Sequence, residues 1–109
     1  MNHDLYLGEF EQIVLLALLR VGPDAYGVPV RQEIERRTGR DITLGAIYKT
    51  LRRMEEKGYV ASREGEPTAE RGGRRKKFYR LEPLGLRALN HSLAALKQMT
   101  RGLEKELKA

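Results

Sequence analysis

Basic side chains concentrate in the centre of the chain and indicate a surface that could bind an anion. Residues 43–80 hold 11 of the 21 Lys and Arg residues but 5 of the 15 Asp and Glu residues, which accounts for the whole formal net charge of +6. The rest of the 109-residue chain balances to zero. Because Lys and Arg donate hydrogen bonds to phosphate oxygens, this segment favours a polyanionic partner.

Residues with catalytic or metal-binding chemistry are scarce. The chain has no cysteine, and neither of its histidines, His3 and His91, has a partner at metal-ligand spacing. The glycine clusters match neither a phosphate-binding loop nor a dinucleotide-binding turn. We therefore expect no enzyme activity, no metal and no cofactor.

Membrane insertion is not expected either. The longest apolar run, from Ile13 to Leu19, has seven residues, whereas a spanning helix needs about 20. No secretory signal pattern opens the chain, so we expect a cytoplasmic protein.

Helical spacing predicts that part of the basic segment, residues 43–57, forms an amphipathic helix. Thr43 is a suitable N-cap, and Gly58 a suitable stop. Apolar residues follow Thr43 at spacings of three and four, as on a buried helix face, namely Leu44, Ile47, Leu51 and Met54. Polar residues are expected to project away from that stripe, namely Lys49, Thr50, Arg52, Arg53 and Glu56.

Two helices are predicted before this one, and a hairpin after it. The first helix spans 8–20 and is apolar on most sides, and the second runs from residue 25 or 26 to Thr38, with Pro29 tolerated in its first turn. Residues 59–63 and 77–81 have the pattern of two short strands. The polar segment 64–76 between them is long for a hairpin connection, which suggests a functional loop.

A row of leucines predicts a fourth helix near the C-terminus that serves in dimerisation. Leucines recur at spacings of three and four over three heptads, interrupted by Thr100. A small domain cannot cover both this row and the apolar first helix with its own chain, so we expect a homodimer. The residues expected at the interface are Phe10, Leu86, Leu89, Leu93, Leu96, Leu103 and Leu107.

The order of these elements predicts a helix-turn-helix with a β wing that binds double-stranded DNA. One helix fits the major groove, so the face of 43–57 opposite its apolar stripe would meet base edges while the wing, 64–76, reaches the flanking backbone or minor groove. The residues expected to contact DNA are Tyr26, Thr43, Tyr48, Lys49, Arg52, Arg53, Arg71, Gly73, Arg74, Arg75 and Lys76. Among them, Arg53 is expected to discriminate between bases and Arg74 to bind phosphate.

Two tyrosines in this set have a second interpretation. Tyr26 could donate its hydroxyl to a phosphate beside the first turn of the second helix, or it could pack as a half-buried side chain. Tyr48 lies next to the apolar stripe and carries the same pair of alternatives.

Three segments of the chain resemble the PadR family of bacterial transcriptional regulators: AYGVPVRQEIERRTG, TLGAIYKTLRRMEEKGYV and ERGGRRKKFYRLEPLGLRAL. The similarity includes Tyr26 and Gly27, Tyr48 followed by Leu51, and the wing residues 72–81. It extends from Leu7 to about Leu96 and is closest to the small subfamily with a single C-terminal helix.

The resemblance implies a mainly α fold, with a winged helix-turn-helix domain over 1–82 and a C-terminal dimerisation helix over 83–109. It also implies a homodimer, usually a repressor, that binds a pseudo-palindromic operator in the bacterial nucleoid. Some relatives sense small aromatic compounds in an interface cavity that is often lined by tryptophan. This chain has no tryptophan, so a small-molecule effector is not indicated.

Two other functions remain open from the residues alone. The basic face could bind an acidic protein, which would make the chain a winged-helix interaction module. It could also bind double-stranded RNA, although a single protruding helix suits the wide major groove of DNA better.

Overall fold

The computed structural model describes residues 6–67 and 75–108, and these ranges form helices and one hairpin. The hairpin pairs its two strands antiparallel, so the described part of the chain is mainly α with a two-stranded wing. This architecture confirms the predicted fold class. In chain order the elements are α1 (Glu9–Val21), α2 (Gly27–Thr38), α3 (Leu44–Glu56), β1 (Val60–Pro67), β2 (Arg75–Leu81), α4 (Pro83–Thr100) and α5 (Glu104–Leu107).

Helices α1, α2 and α3 pack around one core. The predicted stripe of α3 is buried, with Ile47, Leu51 and Met54 fully covered, whereas Leu44 at its start is half-buried. Val30 and Ile34 of α2 contribute the face that their four-residue spacing predicts. On α1 the fully or almost fully buried side chains are Val14, Leu15, Ala17 and Leu18.

One polar residue of α3 differs from its expected orientation. Thr50 was expected to project away from the apolar stripe, but its side chain is buried. Positions 47, 50, 51 and 54 lie within one helix face at 100° per residue, so Thr50 belongs to the buried side by geometry and not by polarity.

Both strands of the wing are longer than the hydrophobic pattern predicts. The ladder continues past the expected ends through the pairs Glu64 with Lys77 and Pro67 with Arg75, with an irregularity in register between Glu64 and Pro67. The residues added to the predicted strands lack apolar alternation, so the pattern did not reveal them, namely Glu64, Gly65, Glu66, Pro67, Arg75 and Lys76. The strands therefore take up both ends of the segment that was expected to form the connecting loop.

The C-terminal leucine row lies on two helices and not on one. Helix α4 ends at Thr100, and Gly102 adopts a left-handed backbone conformation with φ of 82° before the short α5 begins. Glycine reaches this conformation without the steric cost that a Cβ imposes. Leu103 and Leu107 are therefore displaced from the line of Leu86, Leu93 and Leu96, which corrects the expectation of a continuous helix.

Helix α4 is anchored to the bundle at its buried side. Ala88, Leu89 and Ser92 are buried, and the Ser92 hydroxyl accepts a hydrogen bond of 2.9 Å from the Leu7 backbone N–H. No helix within 6–67 and 75–108 is both long and apolar enough to cross a membrane.

Candidate nucleic-acid interface

The outer face of α3 is a polar ridge opposite the core. It begins after Thr43, whose hydroxyl accepts a 3.1 Å hydrogen bond from the Ala46 N–H and so caps the helix as predicted. Positions spaced by four, three and four residues point away from the buried stripe and are exposed. The residues of this outer face are Gly45, Lys49, Arg52 and Glu56.

Two cations of the outer face are available for a partner. Lys49 and Arg52 are exposed, and neither forms a hydrogen bond or an ion pair with any residue in the described ranges. Gly45 lies one turn before Lys49, and a Cβ added there would contact nothing closer than the Thr43 hydroxyl at 3.9 Å. The outer face therefore carries two unpaired positive charges, and at its N-terminal end Gly45 adds no side chain to it.

Arg53 lies at the edge of the outer face that borders α1, about 40° around the helix from Lys49 and about 100° from Arg52. Its Nε donates to the Glu11 carboxylate of α1 at 3.3 Å, and the Glu11 side chain is only 15% exposed. Arg53 therefore lies on the flank that faces α1 and is already paired. The sequence could not reveal this contact, because the two residues are 42 positions apart.

Tyr48 lies on the opposite flank of α3, against the start of α2. A Cβ added to Gly27 would lie 2.3 Å from both the Cζ and the hydroxyl oxygen of Tyr48, a distance that no real contact permits. The Tyr48 ring is half-buried and packs against the core. Tyr48 thus has the packing role that its position beside the stripe suggested, while part of its ring stays exposed.

The wing is fastened to α3 through Glu55. The Ser62 hydroxyl of β1 donates a 2.6 Å hydrogen bond to one Glu55 carboxylate oxygen, and Lys77 Nζ of β2 lies 3.9 Å from the other. Side chains alternate across a strand, so Ser62, Lys77 and Tyr79 share the wing face that covers α3. Glu55 and Ser62 were not among the predicted site residues, and only correct strand register could have identified them.

Burial of Tyr79 on this same face changes its acidity. Removal from water raises the pKa of the Tyr79 phenol, and the negative charge of Glu55 and the neighbouring Tyr48 raise it further, while Arg52 lowers it. The Tyr79 backbone N–H donates a 2.8 Å hydrogen bond to the Ala25 carbonyl. Tyr79 therefore connects the wing with the turn before α2 as a core residue.

The other face of the wing carries a row of aromatic and cationic groups that reaches α2. The Arg63 guanidinium lies over the Phe78 ring at 4.6 Å, and the Phe78 ring meets the Tyr26 ring edge-on at 5.8 Å. Lys76 Nζ lies 4.7 Å above the Tyr26 ring and 3.4 Å from its hydroxyl, to which it donates. Each cation–aromatic pair stabilises its geometry by about 0.5–1 kcal/mol at an exposed site.

Tyr26 packs within this row, as one of its two interpretations expected, and its contact with phosphate stays a prediction. Tyr26 is half-buried and is the N-cap residue of α2, without a side-chain hydrogen bond to that helix. Tyr26 holds Lys76 beside the start of α2. Two predicted DNA-contact residues, one from the wing and one from the start of α2, therefore lie next to each other. Arg63 and Phe78 were not among the predicted site residues, because their contacts across the hairpin and with α2 join residues far apart in sequence.

The described part of the chain does not include the side chains of four predicted wing residues. Arg71, Gly73 and Arg74 lie outside the described residues. Arg75 begins β2, paired with Pro67, and its side chain is not described.

The predicted dimer residues divide by exposure. Leu86, Leu93, Leu96, Leu103 and Leu107 are exposed, with Leu96 and Leu107 more than half exposed. Leu89 differs from the expectation, because only 1% of it is exposed and it packs within its own chain. Phe10 is half-buried, 5.9 Å beneath the Arg40 guanidinium. Six further exposed large hydrophobic residues were not part of the prediction, namely Tyr6, Leu16, Leu19, Val28, Leu84 and Met99.

Metal or catalytic chemistry has no support among the described side chains. They contain no group of three or more His, Cys, Asp or Glu residues that could hold a metal ion. A cationic helix face beside a cationic wing is suited to binding an anion.

Solved structures resemble the chain over most of its length. A PadR family transcriptional regulator from Eggerthella lenta DSM 2243 is 27% identical, with a TM-score of 0.67 and coverage of 93% of this chain and 88% of that one. A transcriptional regulator from Clostridium thermocellum is 24% identical, with a TM-score of 0.71 and coverage of 87% and 89%. A PadR-like transcriptional regulator from Bacillus cereus ATCC 14579 is 18% identical, with a TM-score of 0.69 and coverage of 92% of each chain.

Comparison with curated proteins gave no match. The family described as "Transcriptional regulator PadR-like family" matches residues 15–91, which include α2, α3, the wing and half of α4. That range covers more than half of the chain and contains every element of the cationic surface. The chain therefore belongs to the PadR-like family of transcriptional regulators, whose members regulate transcription and are not enzymes.

Proposed function

We propose that the protein is a sequence-specific regulator that binds double-stranded DNA as a homodimer and represses transcription from a pseudo-palindromic operator. The observation that carries this proposal is the outer face of α3, where Lys49 and Arg52 are exposed and unpaired within the described ranges, directly opposite the buried stripe. A helix with this division of faces can enter a groove without exposing its core.

The chemistry of the outer face fits the major groove. That groove is about 12 Å wide and accepts one helix, and an arginine can donate two parallel hydrogen bonds to a guanine edge. Arg52 is the residue that we assign to base recognition, with Lys49 on the same ridge. Gly45 lets the N-terminal turn of α3 approach the bases closely, because it adds no side chain between helix and groove.

The wing supplies contacts to the DNA backbone. Lys76 is exposed and is held beside Tyr26 at the start of α2, so it lies on an ordered platform. A phosphate contact of this kind positions the protein without reading sequence. Arg71, Gly73, Arg74 and Arg75 extend the same contact in this proposal, as their sequence pattern suggested.

A homodimer explains the exposed leucines of α4 and α5. Rows of exposed apolar side chains on a small chain are costly in water unless a second copy covers them. A two-fold dimer would place two α3 helices about 34 Å apart and so read half-sites about one helical turn apart. We place the protein in the cytoplasm, on the nucleoid when bound. Repression would follow from occupancy of the operator.

The test compares DNA binding of matched variants. Genomic fragments selected by the purified protein provide the specific probe, and a duplex of random sequence provides the other. We expect Arg52→Ala to weaken binding to the selected fragment more than binding to the random duplex. We expect Lys76→Ala to weaken binding to both probes equally and to reduce the slope of log affinity against log salt concentration by about 0.9.

Lys105→Ala, on α5, is the matched control and should leave the affinity for both probes unchanged. A flat salt response of the wild-type protein would contradict the proposal. Failure to select any genomic fragment, together with retention of an acidic protein in a pull-down, would instead support the interaction-module alternative.

A further inference from the structure

The ion pair between Glu11 and Arg53 joins the first helix to the flank of the recognition helix, α3. Glu11 is held at both carboxylate oxygens: Oε1 accepts a 2.8 Å hydrogen bond from the Gly8 N–H, and Oε2 accepts from Arg53 Nε at 3.3 Å. The Glu11 side chain is 15% exposed, whereas that of Arg53 is 49% exposed. The carboxylate is therefore fixed in place, and the guanidinium is half open to solvent.

Arg53 differs in this respect from its two neighbours on α3. Lys49 and Arg52 have no carboxylate partner within the described ranges, although Glu55 and Glu56 follow on the same helix. Arg53 is displaced by about one fifth of a turn from the centre of the outer face, toward α1. A guanidinium at the edge of a groove-binding helix lies where the DNA backbone passes, and not where base edges lie.

We propose that Glu11 competes with DNA phosphate for Arg53 and thereby lowers the sequence-independent part of the affinity. This inference rests on the proposed DNA-binding function. The Glu11 carboxylate occupies Arg53 Nε and compensates the charge of the guanidinium, so a phosphate that approaches the remaining N–H donors of Arg53 is attracted less strongly. In the wild-type protein Arg53 then releases no additional counterion on binding, because its charge is already compensated within the chain.

The expected size of the effect follows from the exposure of the pair. Ion pairs with one half-exposed partner contribute little, about 0.2–1 kcal/mol, which corresponds to about a one-and-a-half- to fivefold change in affinity. Arg53 would contact phosphate, so the change should be the same for every DNA sequence. A base-reading Arg53 would instead alter the ratio between selected and random DNA.

Glu11→Gln is the decisive variant. Glutamine keeps the acceptor for the Gly8 N–H, since either residue serves at this position of a helix start, and removes the negative charge that faces Arg53. Arg53→Gln and the double variant complete a thermodynamic cycle. Glu104→Gln, on α5, changes the net charge by the same unit at a distance from α3 and is the matched control.

Each variant is titrated with sodium chloride against the random duplex and against the selected genomic fragment. We expect Glu11→Gln to bind both probes about one-and-a-half- to fivefold more tightly, with a salt slope steeper by about 0.9. Arg53→Gln alone should have nearly the same DNA affinity as the wild type. The double variant should lose the increase in affinity that Glu11→Gln produces alone. All variants should stay folded at the temperature of the binding measurement, and thermal unfolding should show a loss of no more than a few degrees from the broken ion pair.

Several results would overturn the inference: no gain in Glu11→Gln, a gain that persists in the double variant, an equal gain in Glu104→Gln, or an Arg53→Gln variant that loses discrimination between the probes. If the wild-type protein binds DNA with a normal salt response and Glu11→Gln matches it, only this inference fails. If no duplex is bound at all, the proposed function fails first.

Discussion

The ring of Tyr48 in α3 lies directly on the backbone of Gly27 at the start of α2. A Cβ at residue 27 would be 2.3 Å from the Tyr48 hydroxyl oxygen, so the closeness of the two helices at this point depends on glycine. The contact sets how closely α2 and α3 approach each other at this point.

Gly27→Ala should therefore destabilise the fold by about 1–3 kcal/mol, because the added methyl group forces the Tyr48 ring or the α2 backbone to move. Chemical denaturation followed by circular dichroism measures the loss. Gly45→Ala is the control, since its Cβ would lie in open space and alanine is the better helix former by up to about 1 kcal/mol. A Gly27→Ala protein as stable as the wild type would contradict the close contact.

Removal of the Ser62 hydroxyl should loosen the wing from α3. Ser62→Ala leaves one Glu55 oxygen without its 2.6 Å donor, and a hydrogen bond to a charged but partly exposed acceptor is expected to contribute about 1–2 kcal/mol. Thr100→Ala removes an exposed hydroxyl that donates 2.8 Å to the Lys97 carbonyl and should cost less than about 0.5 kcal/mol. Amide hydrogen exchange in β2 should accelerate only in Ser62→Ala, and equal exchange in both variants would contradict the fastening role of Glu55.

Two leucines of α4 should separate folding from dimerisation. Leu89→Ala removes a buried side chain and should cost about 2–5 kcal/mol of unfolding free energy. Leu96→Ala removes an exposed one, so it should weaken self-association about tenfold through loss of interface burial. Sedimentation velocity at several concentrations measures the second effect. A monomeric wild type, or a Leu96→Ala dimer as tight as the wild type, would contradict the proposed interface.

Alkaline stability should depend on Tyr79. Burial, with help from Glu55, raises the pKa of Tyr79 above its ordinary value of 10.0, so above that pH the unfolded chain loses this proton more readily than the folded one. The stabilisation is complete below pH 10.0 and declines as the pH rises through the raised value. In Tyr79→Phe the free energy of unfolding should fall less steeply as the pH rises above 10.0.

Ultraviolet titration of tyrosinate provides an independent measurement. We expect a late component that is absent in Tyr79→Phe and shifts to lower pH in Glu55→Gln, because that variant removes one cause of the raised pKa. A late component that survives Tyr79→Phe would assign it to another tyrosine.

Local patterns predicted the elements of the interface well. Thr43 caps α3, Ile47, Leu51 and Met54 are buried, and β1 pairs with β2 as a hairpin. Capping, helical period and strand alternation act between residues close in sequence, which is why these features could be predicted. Strand ends were underestimated because the outer pairs of the ladder are polar.

The sequence by itself determined where positive charge and apolar surface occur along the chain, and hence a winged-helix fold with a cationic α3 and wing. Only the tertiary structure decided that Arg53 is paired with Glu11, that Leu89 packs inward, that Thr50 is buried and that Phe78 lies between Arg63 and Tyr26. Periodicity reports which side of an element avoids water. It does not report which distant residue covers that side, because such contacts depend on how separate elements meet in space.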